Sequence, residues 1–285
     1  MLDSPGSTLL GLPALLVNDR YRERLLATCS DPQVRQFWTQ ELAAWGDNFK
    51  AEALSPLQNK IGALLGSELL RNILGQHRPT IDIPAIMNSG RVLIVNLSKG
   101  KLGAGPSFLL GALLSTAFAQ SAEARADMPE DQRRDFYLYA DEFQTFATDS
   151  FATILSEARK YRLSLTLAHQ FLGQLPLSLR QAVLGNAGSI ISFRTGADDA
   201  ATLSAEFGFQ SGNAFTDLSN HEAWVLLTQN GNPGSPMRVS FPPPLEPAND
   251  HTDAIIARTR ARYTRPRAKV EAEVNRFIAR PMPFS

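Results

Sequence analysis

Short apolar runs alternate with helix-like stretches between residues 91 and 228, and this rhythm restricts the fold more than any other feature of the chain. Residues 92–97 (Val-Leu-Ile-Val-Asn-Leu) form the near-continuous branched run that a strand covered on both faces requires. After a Gly-rich turn, residues 107–120 read as a helix and residues 136–140 as a second strand. Residues 150–161 then place Phe151, Ile154, Leu155 and Ala158 on one helical face, and residues 163–168 form another strand. The pattern continues with a helix over 178–184 stopped by Gly185, a strand over 189–193, a helix over 197–207 and a last strand over 223–228. Alternation at this spacing predicts an α/β fold with a mainly parallel sheet and right-handed crossovers.

Upstream the period is helical. Asp31-Pro32 starts a helix whose apolar face is Val34, Phe37, Trp38, Leu42 and Trp45, ending at Gly46. Ser55-Pro56 repeats the device, with Leu57, Ile61, Leu64 and Leu65 leading to Gly66, and a third helix over 68–74 ends at Gly75. The expected organisation is an all-helical unit over 1–88, an α/β core over 89–236, and a Pro-rich linker with a basic tail over 237–285. The linker is Phe241 to Pro247; the tail sets Arg258, Arg260, Arg262, Arg265, Arg267, Lys269, Arg276 and Arg280 against four acids. It reads either as a solvated helix or as a contact for nucleic acid or an acidic partner. Net charge is zero, so nothing global requires a polyanion. The longest apolar stretch, 108–119, is far short of the roughly 20 residues of a spanning helix. With no visible signal peptide and a lone Cys29, the expected location is the cytoplasm.

The chemistry concentrates where strands end. The run Phe-Tyr-Leu-Tyr-Ala over 136–140 stops at Asp141-Glu142, the next strand stops at His169-Gln170, and the following one at Arg194-Thr195. Ligands of open α/β sheets gather at such carboxyl ends, and parallel strands would put all three on one rim. Triphosphate hydrolysis asks for groups of these kinds: Asp141 to hold Mg²⁺, Glu142 to polarise water, Gln170 to sense a γ-phosphate, and Arg159 to reach a nucleotide on a neighbouring subunit. Each also has a plainer reading. The acids can cap a helix or an exposed turn, Arg159 can be a solvated last-turn arginine, His169 can serve packing, and Arg194 can pair with Asp198 or Asp199. An unrelated enzyme with Asp141 and Glu142 as an acid–base pair is a third reading. The phosphate cradle is missing, because Gly100-Lys101 is followed by Leu102 and position 95 is Val.

Three ordered motifs, Tyr137-Leu-Tyr-Ala-Asp-Glu-Phe143, Ser156-Glu-Ala-Arg-Lys-Tyr161 and Leu165-Thr-Leu-Ala-His-Gln170, resemble the second half of the motor domain of type IV secretion coupling proteins, the TraG/TraD group, and of HerA-type DNA translocases. The resemblance spans about residues 91–228. It implies a partial RecA-like P-loop NTPase core that binds ATP and Mg²⁺, assembles as a homo-hexamer and moves DNA with relaxosome or secretion partners. Under it, Asp141 and Glu142 match the Walker B acids, with Asp141 at the metal. Gln170 matches the strand-end glutamine and Arg159 the trans-acting arginine; Arg194, outside these matches, is a candidate nucleotide contact from its place at a strand end. The segment implied for TraM recognition falls near residues 137–199. Family members carry a Walker A strand and loop before the helical unit and usually begin with membrane helices. Their absence here leads to the expectation of a C-terminal portion of a larger ATPase, truncated or split. The alternative is a non-hydrolysing module that docks a relaxosome or secretion partner.

Overall fold

The computed structural model describes Ser4 and residues 6–147, 149–229, 231–246 and 249–279; Pro247 of the linker and Arg280 of the tail lie outside them. The chain divides into two compact units, one of Met1–Ile81 with His251–Ser285 and one of Asp82–Asp250.

In the first unit Asp31 accepts from the N–H groups of Gln33 and Val34 and caps a helix opening on Pro32. The predicted apolar stripe breaks because Phe37–Glu41 is π-helical, which rotates the following turn. Leu42 is buried, Val34 is exposed, and Phe37, Trp38, Trp45 and Phe49 meet edge to face instead. Pro56 does not start a helix; it lies inside Asp47–Gly66, which begins directly behind Gly46 and continues at the loss of one backbone donor. Ser67 caps the helix Glu68–Leu74, which ends at Gly75 as predicted. Val270 and Val274, on the helix Arg267–Ala279, close over Leu10 and Leu65. Arg265 pairs with Glu273, and Arg267 with Glu271 and Glu68, so these basic side chains are neutralised within the unit. The helix Thr252–Tyr263, carrying Arg258, Arg260 and Arg262, buries none of its residues.

The second unit opens with α1 (Ile83–Ser89), capped by Asp82 and ended by Gly90 in the left-handed conformation. Residues 92–97 then run without a strand partner; Val92 is 88% exposed and Ile94 84%, so the predicted buried strand is not formed. A strand needs a neighbour to satisfy its backbone, and among the described residues none pairs with this run. Helix α2 (Ala104–Glu123) leads to β1 (Phe136–Ala140), α3 (Asp149–Glu157) and β2 (Leu163–Leu167). β1 and β2 are parallel, with Phe136 opposite Leu163 and Ala140 opposite Leu167. Ile83, Met87, Phe118, Phe143, Phe151, Ile154 and Leu163 form the core beneath them.

The chain continues through α4 (Leu177–Asn186), β3 (Ile190–Ser192), α5 (Ala197–Phe207), β4 (Glu222–Leu226) and β5 (Met237–Ser240). The predicted strands 189–193 and 223–228 are both present in shortened form. They do not extend the parallel sheet: β3–β4–β5 is a separate antiparallel ladder over a second core of Leu172, Leu203, Phe207 and Phe215. β4 is paired on both edges and has no side left for a parallel partner, while β3 is an edge strand paired to β4 alone.

Arg125, 2% exposed, ties the parallel pair together at its amino end. It donates from Nε to Asn88 Oδ1 at 3.0 Å and from Nη1 to the carbonyls of Arg134 and Tyr161 at 3.0 and 2.9 Å. These contacts join α1 to the lead-ins of β1 and β2. At the other end α2 comes close enough to the acid loop that a Cβ at Gly111 would lie 2.7 Å from Phe146 Cβ. Gly111→Ala should therefore destabilise by about 1–3 kcal/mol in urea unfolding, overpacking outweighing helix propensity. Gly185→Ala, in α4 with open space around it, should gain up to about 1 kcal/mol in the same assay.

Candidate functional site

The parallel register delivers the ends of β1 and β2 side by side. Asp141 follows β1 directly and is exposed. Its Oδ1 accepts from the Glu142 N–H at 3.0 Å, an interaction that turns the chain sharply out of the strand. Glu142 has φ 51° and ψ 40°, the left-handed region that a residue with a Cβ seldom occupies. The next residue, Phe143, is fully buried against Phe151, and its N–H donates to Ala168 O at 3.2 Å. The loop is thus anchored to the end of β2 immediately after the strained residue.

From β2 the chain presents His169 and Gln170. Gln170 Nε2 donates to Glu142 Oε1 at 2.7 Å, joining the two predicted site groups directly. The other oxygen, Oε2, accepts from Gln144 Nε2, so both carboxylate oxygens face amide donors. The carbonyl oxygen Oε1 of the Gln144 amide is buried without a partner among the described residues. Sequence reasoning missed Gln144; the signal was its place two residues past Glu142, where a short 3₁₀ turn over Phe143–Thr145 folds it back. His169 packs edge-on against Phe143 at 5.5 Å, the packing role foreseen for it. Burial holds its pKa below the ordinary value, with the negative charge of Asp199 opposing.

Two predicted residues stand apart. Arg159 lies in the 3₁₀ turn Ala158–Tyr161, which leads into the amino end of β2, a strand's length from Gln170. It is exposed, and no ion pair among the described residues uses it. Arg194 follows β3 in the antiparallel sheet, with its guanidinium 3.5 Å from Asn220 Oδ1. Asp199 does not pair with it; its Oδ2 accepts from the Leu172 N–H at 2.8 Å and joins α5 to the segment after β2.

An exposed carboxylate such as Asp141 suits Mg²⁺, which takes one or two protein oxygens and keeps waters and phosphate oxygens for the rest. The phosphates themselves find no cradle among the described residues: Gly100-Lys101 is wound into the short helix Lys99–Leu102. No cluster of three or more potential metal ligands occurs among the described residues.

The topology can be compared with solved structures. The chain matches plasmid coupling protein TrwB in complex with the GTP analogue GDPNP, with a TM-score of 0.58 over 83% of this chain at 14% identity. It matches TrwB in complex with ADP and Mg²⁺ with a TM-score of 0.59 over 85% of this chain, also at 14% identity. The chain has the coupling-protein fold. It spans 61% and 62% of those two TrwB chains, about three fifths of the coupling-protein structure. No protein-family model and no curated protein matches the sequence. No helix among the described residues is long and apolar enough to cross a membrane.

Two expectations follow from the loop. Glu142→Gly should keep or raise stability in urea unfolding by relieving the left-handed strain, whereas Glu142→Val should lose about 1–3 kcal/mol. For His169, a folded pKa below the unfolded one means that the unfolded chain binds the proton more readily. Stability should hold above the ordinary imidazole value of about 6.5 and decline as pH falls below it through the lower folded value, and His169→Gln should flatten that decline in urea midpoints.

Proposed function

We propose that this chain is the acid-bearing portion of a DNA-translocating ATPase of the conjugative coupling type, hydrolytic once joined to a phosphate-binding half. The Gln170–Glu142 hydrogen bond carries this reading, since it joins a strand-end amide to a strand-end carboxylate across a parallel pair. The coupling-protein fold supports it. Bound Mg²⁺–ATP would supply the electrophilic γ-phosphorus and the charge that stabilises its transfer. Asp141 would hold the metal through its carboxylate. Glu142 would orient and deprotonate the attacking water, and Gln170, able both to donate and to accept, would register the γ-phosphate.

Arg159, exposed and remote from Glu142 within one chain, suits delivery to a neighbouring subunit's nucleotide in a homo-hexameric ring. Arg194 would contact nucleotide only through such an assembly. DNA would be the cargo, relaxosome or secretion proteins the partners, and the cytoplasmic face of the membrane the place of work. The HerA-like role and a TraM-recognition segment over residues 137–199 belong to the same reading.

A second reading rests on the lack of a phosphate cradle among the described residues: the chain docks a relaxosome or secretion partner without hydrolysing anything. Calorimetric titration of the chain with Mg²⁺–ATP separates the two. Measurable affinity, weakened by Asp141→Ala, is the expected outcome for the ATPase portion, and undetectable affinity with retained partner binding favours the docking module. In an assembly that includes a phosphate-binding half, Glu142→Gln should lower kcat by at least about 100-fold while leaving nucleotide affinity within a few-fold. Unchanged turnover there removes Glu142 from the mechanism.

A further inference from the structure

The parallel pair has an unfilled side. A cavity of about 1190 Å³ is walled by the whole of residues 90–99 on one side and the whole of 134–142 on the other, with α2 as its floor and no residue of β2. It therefore runs along the edge of β1 opposite β2. It exceeds the about 300–1,000 Å³ of ordinary small-ligand pockets.

One wall carries β1, and the other includes residues 91–98, which lie outside any helix or strand. At one end Gly90 abuts the Arg134 guanidinium, where a Cβ would fall 2.3 Å from Arg134 Cζ, and at the other end Ser98 and Lys99 share the cavity with Asp141 and Glu142. In a strand, each residue's N–H and C=O point to one side and those of the next to the other. The Phe136 N–H donates to Arg162 O and Ala140 O accepts from Ala168 N–H, so even-numbered positions face β2. The N–H and C=O groups of Tyr137 and Tyr139 therefore face the cavity. No ladder joins residues 91–98 to β1 among the described residues. The apolar side chains beside this gap are exposed as well: Val92, Ile94, Tyr137 and Tyr139.

We infer that this gap is a strand slot, filled by one extended apolar segment that runs parallel to β1, hydrogen-bonds to Tyr137 and Tyr139 on one side and to residues 92–97 on the other, and belongs to the part of the coupling-protein sheet that this chain does not span. About two fifths of each coupling-protein structure lies outside the matched region, so the complete fold has polypeptide to supply it. Every strand of the second unit is already placed in a ladder of its own among the described residues. The inference concerns the sheet and does not depend on nucleotide hydrolysis.

Residue-resolved amide exchange on the full chain tests it. In the chain alone at high dilution, the Tyr137, Tyr139, Val92 and Ile94 amides should exchange freely while those of Phe136 and Leu138 are protected. The probe is a Val/Ile-rich strand of about six residues joined to the amino terminus by a flexible Gly/Ser tether. With it, the Tyr137 and Tyr139 amides should slow by at least about 100-fold. The same tether with its strand broken by prolines should leave them free. Protection already present in the dilute untethered chain, or no change with the probe, overturns the slot. Protection that grows with protein concentration alongside dimer formation in sedimentation assigns the edge to a second copy and overturns the proposed occupant.

Discussion

The parallel ladder between β1 and β2 is the constraint on which the site depends. Because Ala140 stands opposite Leu167, the residues that follow both strands emerge at the same level. An antiparallel pairing would send them to opposite ends, some five residues apart. The Glu142–Gln170 contact is therefore a consequence of strand direction, and direction is itself set by the crossover through α3, since parallel neighbours cannot be joined by a tight turn. Chemistry enters this protein through topology before it enters through any side chain.

The two ends of that ladder are built differently. At the amino end, Arg125 satisfies backbone carbonyls from both strand lead-ins while almost fully buried, which fixes their spacing. Such a buried cation is costly unless bonded, and its pKa is lowered chiefly by burial, with Arg133 adding to the effect. At the carboxyl end the backbone is held in an unfavourable conformation at Glu142, and the cost is offset by Phe143, which sinks into the core one residue later. The amino end is thus held by side-chain bonds to backbone, and the carboxyl end by burial of Phe143 beside one residue in the left-handed region.

The legible parts of the sequence were those decided locally. The acid pair at the end of an apolar run, the helix stop at Gly75 and the helix over Ala197–Phe207 depend on neighbours a few residues away, and each is found where the pattern puts it. Contacts at long range were not legible. The direction of β3 and β4 depends on which edges are free, and no periodicity records that. Pro56 misled because its cost inside a helix is outweighed by the flanking turns of Asp47–Gly66. The run 92–97 carries the composition of a buried strand and is exposed; its sequence reports a neighbour, and the neighbour is not among the described residues.

That mismatch also bears on how the slot would be filled. Covering Val92 and Ile94 contributes about 3–6 kcal/mol, before any gain from the two tyrosines or the ladder bonds. Bimolecular association costs about 4–15 kcal/mol, and ordering an unstructured strand adds about 1–2 kcal/mol for each residue fixed. A loose peptide would thus bind weakly. A strand already held extended inside a folded sheet has paid its ordering cost in advance, so the same contacts leave a net gain. The exposed edge is consequently suited to a domain and poorly suited to a short linear motif, and an edge left uncovered exposes the chain to pairing with its own kind.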